Sequence, residues 1–241
     1  MGRTVLSAVA ALVPVVLLFI SLVVSPGAAE VLFREEFEDL DAWEPFTFPK
    51  IERHTRYTAL ELGSLAVLEA RSQGSASAIV HEQEYDIQNY PRLRWRWRVE
   101  SVYTRGDAAT KAGDDYPLRI YVLFPFDPGE AGFFTNLKYS AAKALYGRFP
   151  PHSTLNYIWA NRTHETRILT NPYTEMAKMI PLQAGSANVG EWMVESVNVL
   201  EDYREAFGED PPKRARLAIM NDSDNTGESS LSYIDWIEIT R

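Results

Sequence analysis

The residues best placed to do chemistry gather in four short stretches. In Lys111-Ala-Gly-Asp-Asp-Tyr-Pro-Leu-Arg-Ile-Tyr121, Asp114 and Asp115 stand at the entrance of a strand. Arg119 and Tyr121 then share one strand face, with Leu118 and Ile120 on the other. Acids at a loop edge beside Arg and Tyr suit a sugar site or an acid/base pair, although an Asp in a turn equally serves to cap a backbone amide. Thr154-Leu-Asn-Tyr-Ile-Trp-Ala-Asn161 supplies Asn156, Tyr157, Trp159 and Asn161. An indole stacks on a pyranose face and an amide bridges neighbouring hydroxyls; the competing place for such a Trp is the core. Asn221-Asp222-Ser-Asp224-Asn225-Thr226-Gly227 resembles the opening of a calcium loop, counting from Asp222. The twelfth position is Tyr233 where a bidentate Glu is needed, so an EF-hand is rejected. The stretch reads instead as a hairpin loop that offers Asp222, Asp224 and Asn225 to a cleft. In Arg92-Leu-Arg-Trp-Arg-Trp-Arg-Val-Glu100, arginines recur about 7 Å apart along one strand face. That row, with Arg96 at its centre, either forks onto the acidic groups of a polymer or is a solvated face paired with cross-strand acids.

Several common chemistries find no footing. G-x-S-x-G, H-E-x-x-H, G-x-x-x-x-G-K-S/T and G-x-G-x-x-G are all absent, and His54, His81, His152 and His164 are never paired at metal-ligand spacing. There is no cysteine, which excludes disulfides, thiolate metal sites and a thiol nucleophile.

The elements that must position these residues are short alternating segments separated by Gly, Pro, Asn and Asp. Leu93, Trp95, Trp97 and Val99 take the face opposite the arginines, as a half-buried antiparallel strand requires. The same pattern predicts strands near 31–37, 64–70, 77–82, 117–124, 154–160, 191–199, 214–220 and 231–239. Their number and spacing point to an all-β fold, a jelly-roll-like antiparallel β-sandwich. Two helices interrupt it: Asn136 to Gly147, in a long excursion, and Leu200 to Phe207, stopped by Gly208 and then Pro211-Pro212.

The chain has 241 residues and a formal charge of −9. Arg3 is followed by an apolar run from Thr4 to Val24 and then Ser-Pro-Gly-Ala-Ala29, the pattern of a signal peptide cleaved after Ala29; an uncleaved anchor is the rival, and then residues 4–24 are the only membrane contact. Residues 30–241 are expected to form one β-sandwich domain, exported to the periplasm or surface of a bacterium. They carry all 33 acidic residues, which argues against nucleic acid as a partner.

The two ends, Phe33-Arg-Glu-Glu-Phe-Glu38 and Tyr233-Ile-Asp-Trp-Ile-Glu238, resemble those of jelly-roll carbohydrate-binding modules, whose first and last strands pair and share a structural calcium. That resemblance makes Glu36 and Asp235 candidate ligands for calcium. The 111–122 stretch, Leu155-Asn-Tyr-Ile-Trp-Ala and Ala218-Ile-Met-Asn-Asp-Ser-Asp-Asn-Thr-Gly together resemble a bacterial family catalogued as domain of unknown function 3047. The likeness runs over nearly the whole mature chain. It implies an exported bacterial domain and brings no mechanism with it.

Three functions remain open. The leading one is a module that binds an oligo- or polysaccharide through Arg96, Asp114, Asp115, Arg119, Tyr121, Asn156, Trp159, Asp222, Asp224 and Asn225. The second is an enzyme on the same scaffold. A hydrolase would pair Asp114 or Asp115 with Asp222 or Asp224, and a lyase would use Tyr121 as base beside Arg119. The third is an envelope scaffold that docks through the Asn136 to Gly147 helix and the apolar residues Phe133, Phe134 and Tyr146.

Overall fold

A computed structural model describes residues 30–129, 132, 135, 136, 139, 140, 143 and 149–241. The expected leader and cleavage site at residues 1–29 lie outside the described residues, as do Phe133, Phe134, Tyr146 and most of the helix expected from Asn136 to Gly147.

Two sheets face each other. The first has the order β12 (Met193–Asn198), β7 (Arg92–Val99), β14 (Ser229–Thr240), β4 (Leu65–Gln73), β3 (Arg56–Leu62), and β1 (Val31–Glu35) joins the far half of β14. The second runs β10 (Leu169–Thr170), β11 (Ala177–Ala184), β9 (Ser153–Ala160), β8 (Arg119–Phe124), β13 (Arg214–Asp222), β5 (Ala76–His81), β2 (Trp43–Phe46), with β6 (Tyr85–Asp86) beside β13. The fold is the expected β-sandwich, antiparallel except where β11 lies parallel to β9. Among the described residues no helix is long and apolar enough to cross a membrane.

Alternation decides which side chains meet between the sheets. Leu93, Trp95, Trp97 and Val99 of β7 are fully buried and face Leu155, Tyr157 and Trp159 of β9. The Trp95 and Tyr157 ring centroids lie 5.5 Å apart and those of Trp97 and Trp159 5.6 Å. Such contacts add about 0.5–1.5 kcal/mol each to the area they bury. Strand β14 would lose phase, because Ile234 and Ile237 are three apart yet both fully buried. A bulge between Ile234 and Trp236 restores it and turns Asp235 outward. The single described helix with a full set of caps, α1 (Val199–Phe207), begins at Asn198, whose side chain accepts from the Glu201 amide, and ends at Gly208 with φ 74°. It seals the core edge with Tyr203, whose ring packs 4.7 Å from that of Phe124.

Candidate functional site

The outer face of the second sheet is where the polar residues converge. With Ile120 and Val122 turned inward, β8 must turn Arg119 and Tyr121 outward; β9 adds Asn156 and β13 adds Met220 and Asp222. The chain leaving β2, Phe46 to Ile51, rises on one side of this face, and Phe149, Pro150 and Pro151 rise on the other, enclosing a cleft of about 540 Å3. Asp114, Asn171, Tyr173, Asp224 and Asn225 close one end.

Two loops are locked together at that end. Asp115 accepts from the Asn225 amide (3.3 Å), the Asn225 Nδ2 (3.0 Å) and the Thr226 amide (2.6 Å). Asn161 holds the other flank: its Nδ2 donates to the Asp115 carbonyl at 2.6 Å and its Oδ1 accepts from the Tyr103 amide at 2.8 Å. Gly106 packs so closely on Asn161 that a Cβ there would lie 2.0 Å from Nδ2. The Tyr173 hydroxyl lies 3.0 Å from Asn225 Oδ1 and 3.1 Å from the Lys111 carbonyl, bridging the mouth.

Arg119 is the centre of charge. It is buried, contacts the Asp222 carboxylate, lies 3.8 Å from Asp114 and has Tyr116 and Tyr121 rings 4.8 and 5.5 Å from its guanidinium. Burial would lower its pKa, but Asp222, Tyr121, Asp114 and Tyr116 together outweigh this and hold the guanidinium charged. Asp222 accepts also from the Tyr116 amide at 3.2 Å. Four carboxyls surround this one guanidinium, and the excess negative charge is felt. Burial, joined by Asp115 and Asp114 and opposed by Arg119, pushes Asp222 well above the usual carboxylate range. Burial and then Asp115 push Asp224 up in the same direction. Asp224 is half-buried and has no salt-bridge partner among the described residues. The carboxylate oxygens of Asp115, Asp222 and Asp224 come within 4.8 Å of one another, the one such trio among the described residues that could share a cation.

Of the ten residues expected to bind ligand, Asp114, Arg119, Tyr121, Asn156, Asp222, Asp224 and Asn225 line the cleft, and Asp115 braces it from behind. Two do not belong to it. Trp159 is fully buried against Trp97, with its indole nitrogen donating to the Gly185 carbonyl at 3.3 Å, so it offers no ring to a ligand. Arg96 is on the first sheet, paired with Asp235 at 2.8 Å and lying 5.0 Å over the Trp192 ring. Its neighbours Arg94 and Arg98 pair with Glu238 and Glu100, so three of the row's four arginines are matched with acids. Glu36 pairs with Arg34 and Asp235 with Arg96, leaving each carboxylate in the hands of an arginine. Burial raises the Tyr121 pKa above that of an ordinary phenol. The cleft walls, Phe46 to Ile51, Phe149 to Pro151 and the Asn171 and Tyr173 cap, were not expected. They stand in excursions whose path the strand pattern does not fix.

A family model matches residues 41–238, from the approach to β2 almost to the end of β14, and so takes in every cleft residue. The chain belongs to the family Protein of unknown function (DUF3047). No curated protein matches this DUF3047 chain. Solved structures resemble it at low identity. A family 11 carbohydrate-binding module of the cellulosomal cellulase Lic26A-Cel5E of Clostridium thermocellum is 8% identical, with a TM-score of 0.43 over 90% of this chain and 96% of that one. Lectin I-B4 from Griffonia simplicifolia is 12% identical, with a TM-score of 0.37 over 86% and 98%. Likenesses this loose carry no residue across.

Proposed function

We propose that this DUF3047 protein binds a glycan in the cleft over the outer face of its second sheet. One observation carries the reading. Six buried side-chain nitrogen or oxygen atoms among the described residues have no hydrogen-bond partner, and three of them, Asp114 Oδ1, Arg119 Nε and Asn156 Oδ1, belong to residues lining this one cleft. Unmet buried polar groups are costly, and small rotations of these side chains toward a ligand that brings both donors and acceptors to the floor relieve them. The walls are aromatic and prolyl, which suits the apolar faces of a pyranose whose hydroxyl edges meet Asp114 and Asn156.

The test is size-exclusion chromatography of the protein with a labelled panel of neutral and acidic polysaccharides, before and after long incubation. Intact sugar that co-elutes, and no longer does so with Asn156→Ala, supports the reading. A broad panel with no co-elution overturns it. Asp224 favours a second reading, because a half-buried carboxyl with a raised pKa is what a glycoside hydrolase uses as its acid. Asp114, at the same end of the cleft, is the partner carboxyl that reading takes, and shortening of the sugar on incubation is its signature.

The calcium expected from the sequence moves, as part of this proposal, from Glu36 and Asp235 to Asp115, Asp222 and Asp224. A calcium titration at about pH 8 that left the melting temperature unchanged would remove it. The export expected from residues 1–29 belongs to the same proposal, and the intact mass of protein purified from its own cells tests it.

A further inference from the structure

The outer face of the first sheet holds a second polar groove, of about 690 Å3, lined by Arg53, His54, Arg56 and Arg71 with serine hydroxyls that include Ser101 and Ser229. No Asp or Glu lines it, in a chain with 33 acidic residues. Of the other arginines of this face, Arg34, Arg94, Arg96 and Arg98 each have an acid within 3.0 Å, and Arg92, at the far end of β7, has none among the described residues. Among the described residues Arg53 and Arg56 have none. Arg71 has Glu69 of its own strand at 3.3 Å. Strand register makes the arrangement worse, because Arg56 and Arg71 are directly opposed partners in the antiparallel β3–β4 pair. Like charges directly opposite each other disfavour strand pairing, and Arg53 adds a third from the incoming loop.

We propose that this groove is an anion site that takes the phosphate or sulfate group of a ligand. A tetrahedral dianion offers several acceptor oxygens to forked guanidiniums and hydroxyls. It cancels the repulsion that the register builds in. The groove and the glycan cleft lie on the outer faces of different sheets and share no lining residue, so the two can be tested apart.

The experiment is thermal melting of the full chain in phosphate, in sulfate and in chloride at equal ionic strength. For a millimolar dissociation constant, about 100 mM phosphate or sulfate raises the melting temperature by about 5–11 °C over chloride. Arg56→Ala abolishes that gain, while its melting temperature in chloride equals or exceeds that of the parent because an opposed charge has gone. Should Arg56→Ala not fold, Arg53→Ala, which lies outside any strand, carries the same comparison. A gain from sulfate and phosphate alike assigns tetrahedral dianions as a class, and a gain from phosphate alone assigns a phosphoryl group. Equal melting in all three salts, or a phosphate gain retained in both variants, overturns the proposal.

Discussion

Arg119→Met removes the one buried cation set among Asp114, Asp115, Asp222 and Asp224. Arg119 and Asp222 are both almost wholly out of water, and stripping one partner from a buried ion pair costs about 3–5 kcal/mol. In a domain of this size 1 kcal/mol moves the midpoint by roughly 2–4 °C, so the variant melts about 6–20 °C lower. The loss also depends on pH. Asp222 and Asp224 have folded pKa values raised above their ordinary ones, so the folded chain holds these protons more tightly than the unfolded one. Their contribution therefore favours the fold at low pH and is lost as pH rises through the folded values. Without Arg119 that slope steepens, and the deficit is largest near about pH 8 and shrinks toward about pH 5. Replacing both partners, Arg119→Met with Asp222→Leu, returns much of the stability because no charge is left stranded. Calorimetry of the three proteins across this range measures the effect. A midpoint within about 2 °C of the parent, or a deficit that grows on acidification, would refute the electrostatic origin of the floor's stability.

Trp159→Ala destabilises by about 3–5 kcal/mol in denaturant unfolding, as loss of a core indole does, yet leaves the glycan affinity of the folded fraction unchanged; a lost affinity at full folding would return Trp159 to the site. Arg96→Ala changes stability by no more than about 1 kcal/mol, the usual worth of a half-exposed pair, and calorimetric titration with the glycan shows no change. The carboxylate excess of the cleft makes it prefer a neutral oligosaccharide to its uronate-bearing counterpart by at least about ten-fold, or 1.4 kcal/mol. Asp224→Asn narrows that gap, and equal affinities in the parent would show that the acids do not face the ligand.

Much of the fold was written in alternation. The Leu93, Trp95, Trp97 and Val99 row fixed both a strand and its buried face, and the Arg119 and Tyr121 pair fixed which side chains of β8 could reach solvent. The same rule separates Asn156 from Trp159, which stand three apart and so take opposite faces of β9; chemistry alone had put them together. Strand β11 escaped because Lys178, Pro181 and Gln183 break its pattern, and its partner shifts register between Pro181 and Gln183. The parallel pairing of β9 and β11 is set by a crossover through β10, and periodicity says nothing about direction. Arg96 resembled Arg119 by residue type, and which sheet each occupies is a matter of topology that a single sequence does not carry. The arginine groove was hidden for a similar reason, since Arg56 and Arg71 become opposed only when β3 and β4 pair.

Strand β14 sits between β7 and β4, at the middle of the first sheet, yet it is the last strand in chain order. While the polypeptide is being synthesised, β7 and β4 both wait with an open edge for a neighbour that emerges after Ser229. Indole-rich β7, bearing Trp95 and Trp97, is exposed throughout that interval, which makes the nascent chain a client for holding factors and prone to edge-to-edge association. Joining of the β12–β7 and β4–β3 pairs into one sheet is therefore a late event. A premature stop only a dozen residues from Thr240 would split the sheet down its middle rather than fray its margin.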